Sequence, residues 1–206
     1  SSGLSISDAL IRQSPCIVVA QKNTSQSGLP SKRRQIEGTP DLPPGVLDTA
    51  KENLDYTKST VETRGTESRF KERVEAAIKL KDGALVQTVG VEKEGPIDWS
   101  SRNLASAPVG DLELYVSRAV PNPSDIDTIY VIHSHGGEGN VITWGNDVSQ
   151  MKQWVNGLNK LYQNAGYPPH AVQLSQVAVL VPNWQGYVTL ANPATGRYYY
   201  WHPSGW

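Results

Sequence analysis

The chain has a single cysteine, Cys16, and that scarcity excludes a good deal of chemistry. No intramolecular disulfide can form, and zinc or iron–sulfur sites built from several thiolates are ruled out. A bound metal must therefore be held by His, Asp or Glu. Long apolar runs are missing too: nothing approaches the roughly 18 residues of a membrane-spanning helix. The opening Ser1-Ser2-Gly3 has no Met, and the residues after it lack the charged-then-apolar pattern of a signal peptide. We expect a processed product or a domain cut from a longer polypeptide. Neither charge sign dominates. Nineteen Lys and Arg against 20 Asp and Glu leave a formal net charge of -1, so no global field favours nucleic acid or an anionic membrane as a partner.

What is present divides unevenly along the 206 residues. That length suits one large domain, or a domain of roughly 130 to 150 residues carrying a long arm. Residues 1–66 show no sustained periodicity. Their one apolar patch, Cys16-Ile17-Val18-Val19-Ala20, is long enough for a strand, and Ser, Thr, Gly, Pro and the basic triplet Lys32-Arg33-Arg34 follow it. Composition predicts an extended, poorly structured polar arm over 1–66, with the triplet solvated, and an α/β domain over 67–206.

Within 67–206 the periodicity alternates between helix and strand. Phe70, Val74, Ala77 and Ile78 recur at helical spacing with Gly83 to stop the run, which predicts a helix over 67–81. Ala84–Val91 and Leu112–Val120 read as strands, with a polar connection between them. Thr128–Ile132 reads as a central apolar strand. Met151, Trp154, Val155, Leu158 and Leu161 mark one face of a helix over about 148–164. Val177–Val181 is a further buried strand, and Gly186–Leu190 with Arg197–Trp201 forms a closing hairpin around Asn192–Gly196. The expected fold is a mixed sheet flanked by helices.

The residues that carry chemistry cluster after the central strand. His133 and His135 are two apart, so in extended backbone both imidazoles face one side while Ser134 faces the other. Asp147 lies at the start of the following helix, where a carboxylate is favoured and can swing back toward the strand end. Two imidazoles and a carboxylate suit zinc, with a fourth position open for water. The bland alternative is an exposed His-Ser-His loop beside Gly136-Gly137.

The order Tyr130-Val-Ile-His-Ser-His135, glycine-bearing loop, Asp147, helix, Val177-Ala-Val-Leu-Val-Pro182 and hairpin resembles the JAB/MPN (JAMM) metallopeptidase domain, whose layering is cytidine deaminase-like. With Val181-Pro-Asn-Trp-Gln-Gly-Tyr-Val188 and Asn192-Pro-Ala-Thr-Gly-Arg197, the resemblance is closest to the DUF4329-type JAB-related domains of bacterial polymorphic toxins and effectors. It covers about 67–206. It implies a Zn2+ ion on His133, His135 and Asp147, and an upstream general-base glutamate for which Glu92 and Glu94 are the nearest residues. It further implies hydrolysis of a peptide or isopeptide bond in a protein or peptide substrate, secretion or delivery into a target cell, and an immunity protein as partner. The spacing departs from the family by one residue, and Trp144 stands where the family has a serine that stabilises the oxyanion; Thr143 and Ser149 are the neighbouring hydroxyls.

Two other readings share part of the signal. His135-Gly136 after an apolar strand resembles the His-Gly element of caspase-like and legumain-like cysteine peptidases, but Val181-Pro182-Asn183-Trp184 occupies the place of their cysteine. The same scaffold without metal would serve as a binding module. His170 and His202 read as surface or packing residues. The aromatic run Tyr198–Trp201 with Trp206 fits either a strand alternating between core and surface or a carbohydrate or peptide platform.

Overall fold

The computed structural model describes residues 17–20, 41–64, 67–96, 109–134 and 150–206. Strand β1 is Ile17–Ala20, helix α1 Pro44–Ser59, β2 Glu62–Arg64, β3 Glu67–Leu80, β4 Leu85–Gln87 and β5 Val91–Pro96. Helix α2 spans Val109–Ala119, β6 Ile126–His133, α3 Met151–Asn164, β7 Val177–Pro182, β8 Val188–Asn192 and β9 Arg197–Trp201. The expected mixed sheet with flanking helices is observed, in the order β1-β9-β8-β7-β6-β3-β2, with β4 and β5 also on β3. Among the described strands only β6 and β7 run parallel, and α3 lies in the crossover that such a pair requires.

Register resolves the two edges of β3. Val74 pairs with His133 of β6 and with Val91 of β5, so those strands flank β3 on opposite sides. Arg69 pairs likewise with Glu62 of β2 and Pro96 of β5. Strands β6 and β2 therefore share one edge of β3, end to end, and β4 and β5 share the other. Between β2 and β6, the backbone of β3 is satisfied from α1. Asn53 Nδ2 donates to Arg73 O at 2.8 Å, and Lys71 N donates to Thr60 Oγ1 at 2.8 Å.

The sheet is covered on both faces. Leu42, Val46 and Ala50 pack on Ala77, Tyr130, Ile132 and Leu180. On the opposite face α2 and α3 bring Leu112, Val116, Trp154 and Leu158 against Val74, Ile129, Val131 and Val179. Burial on this scale explains the continuous apolar runs of β6 and β7, because a strand covered on both sides has no solvent face to mark with polar residues. A fully buried side chain such as Ile132 or Leu158 contributes roughly 1.5–3 kcal/mol.

Four sequence expectations are corrected. The predicted helix over 67–81 is strand β3. Its Glu, Lys, Arg and Ala residues favour helix locally, but hydrogen bonding on both edges and burial of Val74, Ala76, Ala77 and Ile78 outweigh that preference. The predicted strand over Leu112–Val120 is helix α2. Leu112, Val116 and Val120 are buried at four-residue spacing while Leu114 is exposed, so the apparent alternation was one helical stripe plus one surface leucine. The arm predicted over 1–66 contains α1, with Pro at its first turn and Val46, Ala50 and Leu54 on its buried face. The polar connection after Val91 is strand β5. The expected helix near 148–164, the strands at 128–132 and 177–181 and the closing hairpin are observed. The apolar patch at 17–20 is strand β1, paired with β9. Among the described residues no helix is long and apolar enough to cross a membrane.

Candidate functional site

The carboxyl ends of the parallel strands β6 and β7 lie side by side, the position at which open α/β sheets generally place their ligands. His133 closes β6 and is 7% exposed. It shares the face of Ile129 and Val131, the side covered by α2 and α3. Ser134 turns the other way. It is fully buried, its hydroxyl 2.6 Å from Thr57 Oγ1 and 3.3 Å from Asn53 O, both on α1. Of His133-Ser134-His135 the structure describes the first two: Ser134 anchors to α1 and His133 lies on the other face.

His135, Thr143, Trp144, Asp147 and Ser149 lie outside the described residues, as does Cys16. Among the described residues no three His, Cys, Asp or Glu groups gather closely enough to hold a metal. Of the expected donors, the buried imidazole of His133 fits a borderline cation, and the set His, His, Asp suits zinc. Glu92 and Glu94 sit on β5, opposite Arg73 and Lys71 of β3, and their side chains lie outside the description. Strand β3 separates β5 from β6, so the Glu92 backbone is roughly 10 Å from His133 at normal strand spacing.

A buried carboxylate that the sequence reading passed over lies on the neighbouring strand, on the face of the sheet opposite His133. Glu75, on β3, pairs with Ile132, one residue before His133. It is the one buried acid among the described residues, 7% exposed. Its Oε2 accepts from Asn53 Nδ2 at 2.9 Å and Arg73 Nε at 2.8 Å, and the Arg73 guanidinium lies 4.4 Å from the Tyr56 ring centre. Asn53 thus touches both residues: its Nδ2 donates to Glu75, and its backbone carbonyl accepts from the Ser134 hydroxyl. The signal for Glu75 was an isolated acid inside the apolar run Val74-Glu-Ala-Ala-Ile78. The mistaken helix placed that acid on a solvated face.

Other candidates resolve as packing or surface. His170 is exposed at φ 60°, its carbonyl accepting from Gln173 Nε2. His202 stacks near Tyr187, with Nδ1 3.2 Å from Gly186 O. Tyr199, Tyr200 and Trp201 are buried, as a strand contributing to the core requires. The β3 edge beside His133 is spent on Asn53 and Thr60, so it does not offer itself for strand addition by a substrate. The chain matches no protein-family model, and no curated protein or solved structure is significantly similar to it.

Proposed function

We propose that this chain is a zinc-dependent hydrolase of a peptide or isopeptide bond, acting as a secreted or delivered bacterial toxin or effector domain that an immunity protein would cover. The observation that carries the reading is the split at the end of β6, where Ser134 is buried and bound to α1 while His133 occupies the opposite face. His133, His135 and Asp147 would hold the ion. A zinc ion there supplies Lewis-acid polarisation of a carbonyl and a nucleophile at neutral pH.

The chain's own residues supply the rest. Hydrolysis adds one water across the amide: its oxygen ends on the acyl carbon, the C–N bond breaks, and a proton must reach the leaving nitrogen. The resemblance gives the carrying of that proton to Glu92 or Glu94 on β5. Glu75 lies on the α1 face, opposite His133, where Arg73 and Asn53 hold it in place. The Thr57–Ser134 contact holds the strand end against α1, and so fixes the face on which His133 lies.

Metal analysis of protein expressed with ample zinc tests the reading. About one zinc per chain is expected, lost in His135→Ala; under about a tenth of an equivalent would sink it. Chelation should abolish cleavage of a peptide library, with recovery on adding zinc. A cysteine peptidase would instead be blocked by thiol alkylation and indifferent to chelators, and a binding module would cleave nothing with or without metal.

A further inference from the structure

The turn after β7 leaves one polar group unspent. Asn183 is 1% exposed, and nearly all of its hydrogen-bonding capacity is committed. Its backbone N–H donates to Tyr187 O at 2.8 Å, and its carbonyl accepts from Gly186 N at 3.0 Å. Its side-chain Oδ1 accepts from Gln185 N at 2.8 Å and Tyr187 N at 3.4 Å. Gly186 closes the turn at φ 87°, a conformation that suits glycine. Lys58 Nζ reaches Trp184 O at 3.4 Å and ties the turn to α1. What remains is Nδ2, buried and without a hydrogen-bond partner among the described residues.

The turn itself needs only an acceptor at this position, so the extra donor is not explained by local structure. Leaving such an N–H buried and unmet costs roughly 1–3 kcal/mol. Its place in the sheet is informative. The last registered pair is Ile132 with Leu180, which sets Val181 level with His133 and Asn183 two residues beyond. Continuing the strand alternation, Asn183 falls on the face of Val179 and Val181, the face His133 shares. At ordinary strand spacing the two Cα atoms are roughly 8 Å apart.

We propose that Asn183 Nδ2 donates to the carbonyl oxygen of the scissile amide and stabilises the negative charge that builds on that oxygen. This inference rests on the hydrolase reading above. The rigid turn orients the donor before substrate arrives, which is the condition under which a hydrogen bond lowers a barrier rather than merely binding.

Asn183→Asp is the discriminating variant, because it keeps the acceptor that closes the turn and removes only the donor. With a peptide that the zinc-loaded wild type cleaves, kcat should fall on the order of 10²-fold with little change in KM. Zinc content should be unchanged. A second measurement does not depend on turnover or on the variant folding: in 15N-labelled wild type, the Asn183 side-chain NH2 resonance should shift when a non-hydrolysable peptide phosphinate is added. Retention of wild-type kcat by a folded, zinc-loaded Asn183→Asp would overturn the proposal. So would a phosphinate that moves the His133 and Val181 backbone resonances but leaves the Asn183 NH2 in place. A wild type that takes up no zinc and cleaves no peptide removes the hydrolase reading itself, a separate and separately visible failure.

Discussion

The hydroxyls of Thr57 and Ser134 lie 2.6 Å apart across 77 positions of sequence, both of them buried. This contact joins the end of α1 to the end of β6, the strand that carries His133. A helix that composition assigned to a solvated arm thereby becomes part of the candidate site.

Breaking that contact should cost stability and metal together. Thr57→Val or Ser134→Ala should each destabilise by roughly 1–2 kcal/mol, since each leaves a buried hydroxyl short of a partner. The double variant should lose less than the sum, because the second change removes the group that the first left unpaired. Urea unfolding measures both effects. Zinc affinity should weaken in each single variant, and unchanged affinity would show that Ser134 does not fix the face on which His133 lies.

Glu92→Gln or Glu94→Gln should lower kcat by roughly 10²–10⁴-fold, the usual range for losing a positioned proton carrier, while zinc remains bound. Glu75→Gln keeps an oxygen for Asn53 and Arg73, so folding should survive, and because Glu75 faces α1 rather than His133, kcat should stay near wild type. Comparing the three variants at fixed zinc content decides among the carboxylates. The largest loss falling on Glu75 would refute this assignment of faces.

Glu113 gives the fold a pH dependence of its own. Burial against α3 pushes its carboxyl up to about 7 from an ordinary 4.5, opposed by the nearby Lys160 charge. A raised folded-state pKa means that the protonated acid is favoured in the fold. The contribution is therefore fully present below about pH 4.5 and is lost as pH rises through about 7. Glu113→Gln should flatten stability over that window and raise it at pH 8. Gly157 makes room for this carboxylate, since a Cβ there would collide with both its oxygens. Gly157→Ala should push the carboxylate toward solvent and flatten the same profile. An unaltered slope in thermal melts from pH 4 to 8 would refute the assignment.

Asn159 clamps the segment that leads into β7. Its Nδ2 donates to Val172 O and its Oδ1 accepts from Val172 N, both at 2.8 Å and both buried. Asn159→Leu would strand two backbone groups at roughly 1–3 kcal/mol each, so a total loss of about 3 kcal/mol is expected. Hydrogen exchange should show the Val172 amide losing protection before the β7 amides. Equal exchange at both would mean that the clamp is not local.

Legibility followed burial. Strands β6 and β7 and helix α3 were readable because their apolar patterns match what the tertiary environment asks of them. Met151, Trp154, Val155 and Leu158 form a single helical stripe, and Val177–Val181 is an unbroken run for a strand covered on both faces. Strand β3 and helix α2 were exchanged for the opposite reason. Glu67–Leu80 is built from helix-forming residues, and Leu112, Leu114 and Val116 alternate on paper as a strand would. Helix α1 was hidden because half of its buried face is polar: Thr49, Asn53 and Thr57 give no apolar stripe until Gln87, Arg73, Glu75 and Ser134 are brought to meet them.

By itself the sequence determined that any metal would have to be held by histidines and carboxylates, through its lone cysteine, and that His133 and Ser134 take opposite faces of a strand, through a two-residue repeat that needs only extended backbone. Which side chains meet around that strand was decided by tertiary structure alone. Glu75 meets Asn53 of α1 rather than His133 because β3 pairs with β6 in one particular register, and the pairs that fix this register join residues 46 to 59 positions apart, beyond the reach of any local pattern.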